Sequence, residues 1–366
     1  MTGYKISRIV PLLTFAATLA CAGAANAGDE STVYVIGDAD IGGFSSKTGA
    51  AISGSPFSSL SCPDLGAVKK SKLLFVPDSC NSNIRVFSIN NKTDALSEVS
   101  GSPFPASSDL QQPVVTPSGK FLYIAEDVPG DVVGFRIGKN GALTPLASSP
   151  FPAGGADEGL VMHPSGKFLY AIDGLDTPPN SVTAFKINEK TGALTQITGS
   201  PFPVSDGIKF AAITPSGKYL YITEPGAEPT QMVVGFKVNE KTGALTDVAG
   251  SPFPTGPNPT GITTDGNFVY VADNGSSEDP TPGDVSGFKI NEKTGALTPV
   301  AGSPFTAGAN PKQLAIDPSE KLLVVTNEDE DDMSIFKINQ KTGVLTPVSG
   351  SPFPTNIGSE GVVFAR

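Results

Sequence analysis

Carboxylates are the chemistry this chain offers most freely. Asp and Glu number 36 against 25 Lys and Arg, giving a net charge of −11. Many of the acids are placed rather than scattered. Where one apolar run of an internal repeat ends, successive units carry Gly37, Asp78, Glu126, Asp173, Glu224, Asp273 and Asn327. Further acids follow in the adjoining segments, among them Asp176, Glu228, Glu278, Asp279 and the run 328–332. Oxygen donors in such number suit a divalent cation such as calcium, which takes roughly six to eight of them; Asp173, Glu224 and Asp273 are the candidate ligands. The same groups can instead accept hydrogen bonds from loop amides, a task that Asn performs equally well, as at Asn327. Both readings stand at this stage.

Other reactive types are scarce. His163 is the only histidine, and its column holds Thr116, Thr214 and Asp317 in other units, which marks a structural position. Without a histidine elsewhere, Ser–His or Cys–His chemistry lacks its base. Arg85 stands two residues before Phe87, where other units have Val133, Thr183 or Ser286; it is expected to pair with an acid such as Asp78 or to anchor an anionic ligand. Lys186, Lys237, Lys289 and Lys337 share one column with Arg136 and read as a solvated, edge-protecting face. Cys62 and Cys80 are too few for a zinc site and are expected to form a disulfide.

These side chains are positioned by a repeat built on Gly-Ser-Pro-Phe, found at 54–57, 101–104, 199–202, 250–253, 302–305 and 350–353, with a Ser variant at 148–151. Seven copies 47 to 52 residues apart define a repeat architecture. Within one unit, apolar runs at 313–316, 322–326, 334–338 and 345–348 are separated by turn sequences such as Pro318-Ser319-Glu320-Lys321 and Gln340-Lys341-Thr342-Gly343. Four short strands, here A to D, make an antiparallel meander, and meanders repeated radially make an all-β, seven-bladed propeller. The first unit lacks a strand A and the chain ends on a spare one, 360–365, so the C-terminal strand is expected to complete the N-terminal blade. The B–C connection varies most: Tyr34 to Phe44 spans 10 residues, Tyr270 to Phe288 spans 18. Insertions collect where a ligand face is elaborated, so a functional site is expected on the B–C face near the axis.

The first residues read as an export signal: Lys5 and Arg8, an apolar run from 9 to 21, then Ala25-Asn26-Ala27. The expected organisation is a signal peptide at 1–27 and one propeller domain at 28–366, exported to a periplasmic or extracellular location. Removing Lys5 and Arg8 leaves 23 basic residues against 36 acidic, a charge of −13. Such a surface is expected to repel nucleic acid and anionic membrane alike, and no apolar run reaches the ~20 residues of a membrane span. A monomer is expected.

The units 121–125, 168–172 and 268–273, each behind a Pro-Ser-Gly-Lys or related turn and followed by Gly-Phe-Lys-Ile-Asn-x-x-Thr-Gly-Ala-Leu-Thr, resemble the seven-bladed lactonase-family propellers of the 6-phosphogluconolactonase-like, YVTN-type repeat group. The resemblance covers the whole mature chain. It implies a site of His, Glu and Arg side chains on the B–C and D–A face, where this chain offers Arg85 and its acids but no histidine. Two functions follow as expectations. One is a binding or interaction module whose acidic face takes a protein or small-molecule ligand. The other is a lactone hydrolase of altered substrate range, with a carboxylate-held metal activating water.

Overall fold

A computed structural model describes residues 31–365 apart from 58–59, 64–65, 70–71, 128–129, 155–158, 175–179, 205–206, 226–230, 276–282 and 360. The expected signal peptide at 1–27 and the loop acids Asp176, Glu228, Glu278 and Asp279 lie outside the described residues. Seven antiparallel sheets succeed one another along the chain, as the repeat predicts. Blade four is representative: strand A at Gly159–Met162, B at Phe168–Asp173, C at Ser181–Ile187 and D at Leu194–Gln196. A fifth, two-residue strand, Phe202–Pro203, returns to pair with the start of strand C.

That last piece revises the expected strand D. It is not one ribbon but two, Leu194–Gln196 on the far half of strand C and Phe202–Pro203 on the near half. Gly-Ser-Pro-Phe is the break between them. The serine makes the break tolerable by accepting a strand-C amide that would otherwise be left unpaired. Ser200 takes the Ala184 amide at 2.9 Å, and Ser251 takes that of Gly235 at 2.9 Å. Proline fits here because the outer edge needs no further donor.

The ring closes as expected. Gly361–Phe364 pairs antiparallel with Thr32–Ile36, from Val33 opposite Phe364 to Ile36 opposite Gly361. The first blade's strand D is reduced to a bridge between Phe44 and Ala51.

Strand B is apolar on both faces because each sheet is sandwiched between neighbours. All six residues of Phe168–Asp173 are buried. The core is therefore a set of interblade layers: Tyr123, Val132 and Phe151 of the third blade meet Leu169, Ala171 and Phe185 of the fourth. Fully burying one such side chain stabilises by roughly 1.5–3 kcal/mol. A polar tie crosses the same layers. Tyr123, Tyr170, Tyr221 and Tyr270 donate their hydroxyls to the carbonyls of Gly192, Gly243, Gly295 and Gly343, each in the C–D turn of the next blade, at 2.7–3.0 Å. Gly243 cannot be replaced there: its φ is +79°, and a Cβ would lie 2.6 Å from the Phe168 ring. Among the described residues no helix is long and apolar enough to cross a membrane.

Candidate functional site

Strand B ends under the D–A crossing that arrives from the preceding blade, and this decides the state of the acidic column. Asp78, Glu126, Asp173, Glu224 and Asp273 are all buried, as is Asn327. Asp78 accepts the Ser61 amide and the Asn81 side chain, both at 3.1 Å. Ser181 donates to Asp173 at 3.4 Å. Asp273 takes Thr255 Oγ1 at 3.0 Å and Ser286 Oγ at 2.5 Å, and also the Gly256 amide. Asn327 does the same work without a charge: it accepts the Gly308 amide at 3.2 Å and donates to Asp332 and Ser334. Gly37 departs from the column because a Cβ there would sit 1.8 Å from the Ile357 carbonyl oxygen, where the C-terminal crossing closes the ring. These contacts are those of loop anchoring. Among the described residues no group of three or more His, Cys, Asp or Glu gathers to hold a metal ion.

Burial has one electrostatic consequence. Desolvation raises the Asp273 carboxyl from 3.8 to about 7, against the opposing hydrogen bonds of Ser286 and Thr255. Desolvation also raises Asp332, again against a hydrogen bond, that of Asn327.

The remaining sequence candidates separate. Arg85 does not pair with Asp78. Its guanidinium lies 2.6 Å from Glu98 across the strand C–D hairpin, at the outer strand of the blade, and 5.4 Å from the centroid of Phe87. The Arg85 hydrogen bonds hold the Glu98 carboxyl below its usual value. His163 is buried at the tight-turn end, bonded to Ser165 Oγ at 2.8 Å and to the Gly217 carbonyl of the next blade at 3.1 Å. Burial lowers its pKa, so it is a neutral interblade tie. Cys62 and Cys80 are joined, as expected, with Cα atoms 5.4 Å apart. The bond links the blade one-to-two crossing to the B–C loop of the second blade beneath it, on the acidic face.

That face also carries cations the repeat pattern did not flag. Lys209 precedes the inner strand Ala211–Ile213, and Lys312 opens the inner strand Pro311–Ile316; both are half-buried. Lys312 Nζ lies 3.1 Å from Glu328 Oε1. Asn310 Nδ2 donates to Glu328 Oε2 at 3.0 Å and to Asp329 at 3.1 Å. The signal in the sequence was their place off the period: most lysines fall in turns or on strand C, whereas these two start innermost strands. The result is an oriented carboxylate beside an ammonium on the B–C and D–A face, next to the axis. Such a pair can activate water and stabilise a developing negative charge.

Fold and site together define a seven-bladed propeller with a polar mouth built at the inner-strand ends. The family model described as Lactonase, 7-bladed beta-propeller, matches residues 67–263 and 256–357, and the chain belongs to that family. It is 29% identical over 147 residues to a 6-phosphogluconolactonase of Bacillus subtilis, an alignment covering 38% of this chain and 39% of that relative. It is 39% identical over 67 residues to another of Formosa agariphila, 18% of each chain. The aligned segments thus span well under half of these relatives' lengths. Among solved structures, a candidate 6-phosphogluconolactonase of Bacteroides fragilis superposes with TM-score 0.72 at 20% identity, covering 92% of this chain and 98% of that one. The periplasmic gluconolactonase of Pseudomonas aeruginosa does so with TM-score 0.68 at 15% identity, covering 92% and 99%. At these identities the superpositions speak for the fold alone.

Proposed function

We propose that the protein is a lactone hydrolase, acting on a sugar-acid lactone at the seventh-blade sector of the axial mouth. The observation that carries this is the Lys312–Glu328–Asn310 group: the one described ion pair on the face where the family places its site, held from two sides. Membership of the lactonase family supports hydrolysis over a pure binding role, and so does the loop-anchoring use of the column acids, which leaves little acidic ligand surface in the column itself. An exported location remains part of the proposal, consistent with the leader-like first residues.

The chemistry follows from the pair. Glu328 takes a proton from water while the oxygen attacks the lactone carbonyl carbon. The carbonyl oxygen becomes an oxyanion that the Lys312 ammonium stabilises. Collapse breaks the ring C–O bond, and the departing oxygen takes up the proton, giving a hydroxy acid. Asn310 positions Glu328. The test is turnover of a panel of neutral and phosphorylated five- and six-membered lactones. Glu328→Gln and Lys312→Met are each expected to lower kcat by about 100-fold or more with unfolding midpoints little changed. No turnover of any lactone, or full activity in both variants, overturns the assignment and returns the molecule to the binding-module reading.

A further inference from the structure

We propose that the tight-turn face, opposite the mouth, is a docking surface for an anionic lipid bilayer. The chain's lysines are not spread over the molecule. Blades four, five and six each place one at the outer end of strand C and one in the C–D turn: Lys186 and Lys190, Lys237 and Lys241, Lys289 and Lys293, all exposed. The third and seventh blades repeat the arrangement. The A–B turns add Lys120, Lys167, Lys218 and Lys321, also exposed. Each of blades four, five and seven thus shows three exposed cations at its turns against one exposed acid, such as Glu189 or Glu240. None of these lysines is in an ion pair among the described residues.

The net negative charge does not cancel this face. Strands B and C run six and seven residues, so at ~3.3 Å per residue the two faces lie roughly 20 Å apart. The Debye length is about 8 Å at physiological ionic strength. A surface touching the turns therefore feels the lysines and is largely screened from the acids beyond.

The shape selects the partner. Cations arise from every sector of a ring, so a planar anionic surface can engage all of them, whereas a linear polyanion touches only a chord. The ring is almost all lysine, with Arg136 stacked on Phe121 at 4.9 Å. The aromatic rings at this end, Phe121, Phe168, Tyr219 and Phe268, are buried, which removes the stacking platforms that nucleic-acid strands use. Between blades four and five a groove of about 440 Å³, lined by Lys186, Lys241, Thr195, Thr198 and Thr242, offers two ammonium groups and three hydroxyls to a phosphate headgroup.

The experiment is vesicle sedimentation with phosphatidylglycerol–phosphatidylcholine and with phosphatidylcholine alone, at low and high salt. Binding is expected only to the anionic vesicles and is lost at high salt. One lysine near an anionic surface contributes about fivefold in partitioning, so replacing Lys190, Lys241, Lys293 and Lys341 together by Gln is expected to cost on the order of 600-fold. These changes leave the turns intact, because Asn188, Asn239, Asn291 and Asn339 bond the lysine backbone amides and not the side chains. Glu330→Gln with Asp331→Asn, on the opposite face, should leave binding within about twofold. No binding to anionic vesicles at low salt, retention by the lysine variant, or equal affinity for duplex DNA of the same charge overturns the proposal.

Discussion

Asp273 and Asn327 occupy one position in consecutive blades and receive the same loop glycine, Gly256 or Gly308, yet only one of them titrates. The folded carboxyl of Asp273 titrates near 7 against 3.8 for the free group. The folded state therefore binds the proton more tightly, and the stability this contributes is full below pH 3.8 and is lost as pH rises toward 7. Asp273→Asn copies the solution already present at Asn327. It is expected to raise the unfolding free energy at pH 8, by on the order of 4 kcal/mol, and to change it little at pH 4. A variant less stable than the parent at pH 8 would show that the ionised form is what the blade needs. The tyrosine column makes a second case. Tyr221→Phe removes the 2.7 Å bond to Gly295 and strands a buried carbonyl, at a cost of about 1–3 kcal/mol in urea unfolding. The buried tyrosines were legible as core residues from their apolar neighbours. Their hydroxyl partners were not, because each lies some 70 residues onward in the next repeat and nothing within one unit points to it.

At the scale of the element, each blade is a meander whose inner strand has only one sheet neighbour, so the missing strand at the N-terminus has to come from elsewhere. Strand count alone made that visible: the run at 32–36 has no predecessor and the run at 361–364 no successor. Deleting residues 361–366 exposes the edge of Thr32–Ile36 and removes the burial of Phe364, itself worth roughly 2 kcal/mol. Loss of the native near-ultraviolet circular dichroism and an earlier unfolding midpoint are expected; an unchanged midpoint would show that the ring holds without its latch. The disulfide acts on a shorter loop. Cys62 and Cys80 close 18 residues, and loop-closure entropy gives a stabilisation of roughly 3 kcal/mol, to be read as the drop in unfolding free energy on replacing both by Ala. Its pairing was legible because Cys21 falls within the expected signal peptide, and the two cysteines that remain have one connectivity. The split of strand D was not, because Gly-Ser-Pro-Phe reads as the end of a strand, and only the serine's bond to strand C shows that the chain resumes pairing beyond it.

Over the whole molecule the two faces of the ring carry opposite charge, and net charge as read from composition conceals this. The acid run 328–332 and the carboxyls of Asp131 and Asp284 lie on the mouth side. The repeated lysines lie on the turn side, with Lys209 and Lys312 as the exceptions beside the axis. A substrate approaching the mouth meets a repulsive field at long range if it is anionic, and an ammonium only on arrival at Lys312. Salt shortens the reach of the outer field more than that of a contact a few ångströms long. For a phosphorylated or carboxylated lactone, kcat/KM is therefore expected to rise by about two- to tenfold between 10 and 200 mM salt, through faster association. For a neutral lactone of the same ring size it should stay flat. A fall with salt for the anionic substrate would mean that Lys209 and Lys312 dominate the mouth and steer anions inward. That outcome would reverse the view of this face as repulsive, while leaving the Lys312–Glu328 pair as the site.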